Sequence, residues 1–517
     1  MPENEVPMRT SSLLASLGAI ALATSAPTAG TAAVVAAVHP FAQQAPESAF
    51  TAAGPGVLGT ACHRPAPDNR VSTTVHCYGP DQIRSFYGLG PLAGSNDGAG
   101  QTIVLVDSYG SPTAVQDVQF FAQTFGGPAP DVEEVFPQGP VDYKSPTGNG
   151  SGTSGPSAAD GWAGEANLDV QWAYAIAPKA HIVLVGVQPA ETQGVQGLPN
   201  MMRAIDWAIA TYPAGSVFSM SFGTSEEAFA GTSAAQQFAR FDQTFKRGLA
   251  KGDTFFASSG DDGSSGVSRA HHQTAATDHP SVSYPNVSPY VTSVGGTQVQ
   301  DGWTWDPLVD KPFNDDGSRN VDYWNWTAGG SSEAVWNEGW GPIGTGGGLS
   351  SVYGRPAYQD SVEGVVGSHR GVPDLAWNAA VNGGVLTYIG YYPSIEGPPR
   401  WGVFGGTSAS SPQVAGLTAI ANQARAAAHK DPVGNLNARI YSASFDRSAA
   451  FNDIVPRTYG TTPSGHLDSN AMWAYTADGF LTPGEFDLYP TTSGYDLTTG
   501  WGTPDAPGYV AQLLAQP

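Results

Sequence analysis

Charge is scarce in this sequence. Asp, Glu, Lys and Arg make up 13% of its 517 residues, and 22 basic side chains face 45 acidic ones, a formal net charge of −23. A chain so poor in cations is repelled by nucleic acid and by anionic membrane surfaces, so neither is an expected partner. Cysteine is nearly missing: Cys62 and Cys77 are the only two. Two lone cysteines without clustered histidines do not make a zinc site. In an exported chain, a disulfide closing the short loop between them is the simplest reading. The ten histidines include no His-Gly-Thr helix start, and most fall in linker or loop contexts, so an imidazole base for a serine hydrolase is not evident. Long apolar runs are lacking too. The run Ser11–Ala26 falls short of the ~20 apolar residues that cross a bilayer, and Ser and Thr interrupt it.

That run reads instead as a secretory signal, with Arg9 ahead of an apolar centre and small residues where a signal peptidase could cut. Two glutamates precede Met8, where a signal needs positive charge, which points to initiation at Met8. Residues 1–33 are expected to be the signal with its cleavage point open, residues 34–60 an Ala/Pro/Thr/Val-rich flexible linker, and residues 61–517 the folded domain. The chain is expected to be secreted, free of the membrane once the signal is gone, and monomeric.

Short β-branched runs bounded by Gly or Pro recur at Thr102–Asp107, His181–Val187, Ser216–Phe222, Asp253–Ser258 and Tyr290–Val294. Apolar on both faces, they predict strands of a buried parallel sheet. Helical patterns lie between them at Ala114–Phe125, Gly164–Ala175, Met201–Tyr212 and Ala234–Gly252, the alternation that βαβ units require. The fold class is therefore α/β, a layered sandwich. The Gly/Ser/Asn/Trp-rich stretches Ser145–Ser157 and Gln300–Gly348 are expected to be long surface insertions.

Three places carry chemistry. The octapeptide Gly405-Gly406-Thr407-Ser408-Ala409-Ser410-Ser411-Pro412 precedes a small-residue helical run. Glycines ahead of a serine let the backbone turn sharply, and a helix starting there offers free N–H groups beside the hydroxyl. Pro412 is expected in the first helical turn, where its missing N–H costs nothing. Ser408 is then a nucleophile, or an N-cap serine in a Gly-rich turn. Glu165 and Asp169 stand at i and i+4 of a helix, hence on one face, with no Lys or Arg at i±4 to relieve their repulsion. On a half-buried face they cannot both ionise cheaply, so the pair shares a proton; the alternative is an exposed acidic face. Asp261 follows the run Asp253–Ser258, at the carboxyl end of a parallel strand, where α/β proteins bind ligands. It is otherwise a turn residue, as Asp262 before Gly263 more plainly is.

Together these motifs resemble the sedolisin family, the serine-carboxyl peptidases of subtilisin-like fold, from about Cys77 to Pro504. Val217–Gly223, Tyr284–Thr297, Gly346–Ser350 and Arg370–Asp374 are similar to further family segments. The resemblance implies a three-layer sandwich around a mainly parallel sheet, and a secreted serine peptidase acting on protein or peptide substrates at acidic pH. By it Ser408 is the nucleophile, Glu165 the general base, Asp169 its support, and Asp261 a protonated oxyanion-hole donor. It also implies one structural Ca2+ in the C-terminal region of about residues 451–504, held by Asp453, the Ile454 carbonyl, Thr492, Gly494 and Asp496, an all-oxygen shell. Thr492 stands where relatives often have Gly. Asp107, which resembles the aspartate strand of ordinary subtilisins, is read as structural. The competing readings are a Ser-His-Asp enzyme using Asp107, a glycoside hydrolase, and an inactive binding protein. Two neighbours on one helical face do not flank a sugar, which counts against the second.

Overall fold

Strand sequences that are apolar on both faces need helices on both sides, and the fold supplies them. The computed structural model describes residues 39–40, 43–44, 77–92, 94, 97–143, 156–187, 197–229, 234–265, 280–300, 333–338, 343–391, 400–456, 468–470, 473–475, 481–483 and 489–517. In chain order the elements used below are β1 (His39–Pro40), β2 (Gln43–Gln44), β3 (Cys77–Tyr78), α1 (Pro80–Phe86), β4 (Thr102–Ser108), α2 (Ala114–Phe125), β5 (Asp131–Val135), α3 (Pro156–Ile176), β6 (His181–Val187), α4 (Leu198–Thr211), β7 (Val217–Met220), β8 (Phe222–Ser225), α5 (Ala234–Lys251), β9 (Thr254–Ser258), β10 (Ser283–Tyr284), β11 (Thr292–Val299) and β12 (Glu333–Val335). The strand Leu375–Asn378 and the long helix Thr407–Ala427, called here the Ser408 helix, complete the central part.

The main sheet has eight strands in the order β12-β11-β9-β7-β4-β6-β5, with Leu375–Asn378 also paired to β11. Every pairing is parallel except β11 with β12. Its central strand β4 is buried along its length. Ile103 and Leu105 join the core formed with α3 and the Ser408 helix, including Trp172, Ile176 and Leu417. Val104 and Val106 point the other way, into the core shared with Met201 and Ile205 of α4 and Phe245 of α5. The three-layer α/β sandwich expected from the sequence is thus the observed architecture.

The helix α2 begins and ends where its pattern ends, with Gly126 in the left-handed conformation at φ 70° closing it. Helix α3 starts at Pro156, well before the expected Gly164. Within the segment 34–60, expected to be a flexible linker, His39–Pro40 pairs antiparallel with Phe222–Gly223 of β8, and Gln43–Gln44 with Phe404–Gly405. A ladder of backbone hydrogen bonds needs no particular side chains, so the composition of this segment did not announce it. Cys77 is disulfide-bonded; its sole possible partner in the chain, Cys62, lies outside the described residues, as do the expected signal at 1–33 and most of both insertions.

One buried ion pair anchors the loop that carries the strand Leu375–Asn378. Arg370 Nη1 and Nη2 donate to Asp374 Oδ1 and Oδ2 at 2.7 and 2.6 Å. Asp374 also accepts the Ser293 N–H at 2.8 Å and the Tyr441 hydroxyl at 2.8 Å. Both side chains are fully buried, so removing one partner strands the other charge, at a cost of about 3–5 kcal/mol. Asp374→Asn is therefore expected to lose about that much stability in urea unfolding, whereas Arg370→Met combined with Asp374→Leu recovers a large part of it.

Candidate active site

The glycines before Ser408 do what the motif requires. A Cβ on Gly405 would lie 2.4 Å from the Ala379 carbonyl oxygen, and Gly406 adopts φ 90° as it turns the chain into the helix. The helix begins at Thr407, so Ser408 is its second residue and its N–H has no carbonyl four residues back to bond. Pro412 lies one turn further in than expected. Its missing N–H there deprives the Ser408 carbonyl of its regular helical donor. The helix then lies directly against α3: a Cβ on Gly416 would meet Ile176 at 2.9 Å and the Ala173 carbonyl at 3.2 Å. This close approach brings α3, with Glu165 and Asp169, beside the serine.

Glu165 and Asp169 are both fully buried, so the face they share is interior rather than an exposed acidic stripe. A third acid joins them. Carboxylate oxygens of Asp107, Glu165 and Asp169 all lie within 4.8 Å of one another, and that group contains no histidine. Asp107 ends the apolar run of β4 with both oxygens buried and without a hydrogen-bond partner. Burial first, and then the charge of Glu134, push its pKa up to about 8. Asp169 is likewise held well above the usual carboxylate range by burial and by the charges of Asp107 and Glu165, against the opposing hydrogen bond from Ser221. Three acids in this setting can hold protons between them, and the same oxygens could geometrically surround a cation.

Ser221 couples this group to the nucleophile candidate. Its hydroxyl donates to Asp169 Oδ1 at 2.9 Å. Its carbonyl accepts from Ser408 Oγ at 3.3 Å. On the other side, Asp261 Oδ1 accepts both the Thr407 N–H at 2.8 Å and the Thr407 hydroxyl at 2.9 Å. Thr407 Oγ1 in turn accepts the Gly260 N–H at 3.1 Å, and the Ser258 hydroxyl donates to the Thr407 carbonyl at 3.0 Å. Asp261 is buried behind the end of β9, where the strand pattern put it. Oδ1 of Asp261 is thus taken up as an acceptor for Thr407. The four residues singled out in the sequence therefore meet in one place. Asp107, read from the sequence as structural, lies in the same acid group. Ser221 and Thr407 had no signal of their own: their parts are visible only once distant segments are side by side.

Of the residues expected to hold calcium, Asp453 bonds the loop that carries Thr492, Gly494 and Asp496. Asp453 follows the short strand Phe451–Asn452 and reaches the loop 492–496: its Oδ2 accepts the Ser493 hydroxyl at 3.1 Å and the Gly494 N–H at 2.9 Å. Asp496 Oδ2 accepts the Thr492 N–H at 2.9 Å, and its Oδ1 accepts N–H and hydroxyl groups of Thr498 and Thr499. Gly494 turns this loop at φ 83°. Ile454, next to Asp453, is buried. Burial raises the Asp496 pKa, and among the described residues no basic side chain pairs with either carboxylate. All the donors offered here are oxygen, which fits a hard cation.

The profile of the Subtilase family matches residues 155–461. Kumamolisin from Bacillus sp. (strain MN-32) is 31% identical over 418 residues, covering 79% of this chain and 59% of kumamolisin. Tripeptidyl-peptidase 1 from Canis lupus familiaris is 29% identical over 308 residues, covering 58% and 43%. Sedolisin from Pseudomonas sp. (strain 101) is 28% identical over 327 residues, covering 62% and 44%. The chain thus spans 43–59% of the length of these curated relatives. A structure of Pseudomonas sedolisin, a serine-carboxyl proteinase complexed with two molecules of pseudo-iodotyrostatin, superposes with a TM-score of 0.58 at 23% identity. The superposition covers 85% of this chain and 98% of that one, so the fold is shared.

The raised Asp107 pKa has a direct consequence for stability. The folded state favours the protonated acid, so its contribution is whole below the ordinary value of 3.8 and is lost as the pH climbs through about 8. Asp107→Asn removes that dependence. Thermal melts should show the variant close to wild type at pH 4 and more stable than wild type at pH 8.

Proposed function

The chain belongs to the subtilase family, on its sedolisin side, and from that premise we propose that it is a secreted serine-carboxyl peptidase that hydrolyses peptide bonds in protein or peptide substrates at acidic pH. The observation that carries this reading is the convergence of one hydroxyl at a helix N-terminus with two separate sets of buried carboxyl groups, joined to it through Ser221 and through Thr407.

Ser408 Oγ attacks the scissile carbonyl while Glu165 takes its proton. For that step the hydroxyl turns from the Ser221 carbonyl toward Glu165. Asp169 and Asp107 share protons with Glu165, so the base is neither fully ionised nor locked in its acid form at low pH. The oxyanion that develops meets the Ser408 N–H and the Oδ2 proton of Asp261, which must be neutral to donate. Glu165 then delivers the proton to the leaving amine, and water hydrolyses the acyl-enzyme by the reverse sequence. Deprotonation of Asp261 or complete ionisation of the acid group ends the cycle, which confines activity to acid. A Ser-His-Asp scheme on Asp107 is disfavoured, because the side chains grouped with Asp107 are acids.

Asp453, the Ile454 carbonyl, Thr492, Gly494 and Asp496 would hold one Ca2+, which would supply a structural cross-link between the segment after Asn452 and the loop 492–496. The secreted enzyme is read as a monomer with no nucleic-acid or membrane partner.

Hydrolysis of a denatured protein should peak at acidic pH. Glu165→Gln should lower kcat by about 10²–10⁴ and Asp261→Asn by about 10²–10³. A rate that climbs toward alkaline pH with Glu165→Gln fully active would sink the carboxylate scheme. Calcium is tested separately: chelation should lower the melting temperature by several degrees, readdition of Ca2+ should restore it, and Asp453→Asn should melt low with or without chelator.

A further inference from the structure

Glu333 of β12 is a buried carboxyl that the chemistry above does not use. Among the described residues its partners are hydroxyls and no base: Tyr87 and Thr297 both donate to Oε1, and Thr503 donates to Oε2 at 2.7 Å. The three donors come from the residue after α1, from β11, and from the short strand Thr503–Pro504. A buried carboxyl is costly to keep, and an apolar side chain would fill the same space without that cost.

Two chains of hydrogen bonds run from Glu333 Oε1 to the turn that carries the nucleophile. In the first, the Tyr87 hydroxyl gives its own proton to Oε1 and accepts the Asn378 N–H at 3.0 Å. The Asn378 N–H claims a lone pair of that hydroxyl, so the buried Tyr87 proton needs an acceptor elsewhere, which Oε1 supplies. The carbonyls of Trp377 and Asn378 in turn accept from Ser410 Oγ at 3.0 and 3.2 Å, two residues after Ser408. The Tyr87 ring also stacks on Trp377, with centroids 3.5 Å apart. In the second chain, Thr297 donates to Oε1 while its carbonyl accepts the Ala379 N–H at 2.8 Å. The Ala379 carbonyl then accepts the Gly406 N–H at 2.6 Å, two residues before Ser408. Gly406 and Ser410 thus flank the nucleophile, and both rest on residues 377–379. Those residues rest on the two hydroxyls that Oε1 orients.

Resting on the peptidase reading above, we propose that Glu333 is a positioning residue for that reaction: by accepting from Tyr87 and Thr297 it fixes residues 377–379 behind the Ser408 turn, and so sets where the nucleophile stands against its acids. It touches neither the substrate nor the reacting atoms. The role lies in the acceptor on Oε1 and not in the charge. A glutamine keeps that acceptor, and its amide can donate to the Thr503 hydroxyl, which accepts as well as donates. A leucine removes it and leaves the buried Tyr87 and Thr297 protons without a partner. Misplacing reacting atoms by about 1 Å costs on the order of 100-fold in rate, so a small shift of this bed is read in kcat.

The test measures kcat and KM of the full chain on an unfolded protein at acidic pH, scaled to the folded fraction read by circular dichroism. Glu333→Leu should lower kcat about 10- to 100-fold with KM within about twofold, and Glu333→Gln should recover most of that loss. Tyr87→Phe keeps the stack on Trp377 and removes only the hydroxyl; it should lower kcat about three- to tenfold. Adding Tyr87→Phe to Glu333→Leu should cost no further activity, because both break the same chain. Should Glu333→Leu fail to fold, Tyr87→Phe and Thr297→Val carry the test. Wild-type kcat in those two variants, a loss in Glu333→Leu that Glu333→Gln does not recover, or a loss that vanishes once scaled to the folded fraction overturns the proposal and leaves the peptidase reading standing. Wild type that cleaves nothing at acidic pH overturns both.

Discussion

Proton sharing among acids that cannot all be charged is the constraint from which the rest of this site follows. Asp107, Glu165 and Asp169 are buried together, and several ionised carboxylates in one interior are expensive. The group meets that cost by holding protons. The sparse charge of the chain, 13% of residues, suits acidic conditions, since a surface with few carboxylates changes little when acid neutralises them.

The fold serves that group by bringing four distant parts of the chain to one point. Asp107 comes from the central strand β4, Glu165 and Asp169 from α3, and Ser408 and Thr407 from the start of the long helix, while Asp261 follows β9. The strand ends and the helix start face the same side of the sheet, as parallel sheets generally arrange their ligand sites. Ser221 sits at the break between β7 and β8 and spends both its hydroxyl and its carbonyl on the site.

Much of this was legible in the chain because the relevant signals are local. The strand His181–Val187 and the helix Ala114–Phe125 were readable to the residue, since hydrophobic periodicity and the glycine after Phe125 mark them without help from elsewhere. Glu165 and Asp169 were readable as a pair because four residues is one helical turn. The grouping of Asp107 with them was not: it closes an apolar strand, and the two acids lie within 4.8 Å of it in space but some sixty residues away in sequence. Helix α3 extends to Pro156 through small residues that carry no apolar stripe, so its first turns left no pattern. The pairings of β1 and β2 rest on backbone groups, which every residue but proline supplies alike.

The contact at Gly416 fixes how closely the middle of the Ser408 helix approaches the C-terminal end of α3, within helices rather than in any loop. The spacing of the two helices is accordingly insulated from the periphery. Loops around the start of the Ser408 helix can be exchanged, lengthened or diversified without shifting that helix against α3, which makes this architecture a suitable chassis for variation at its surface.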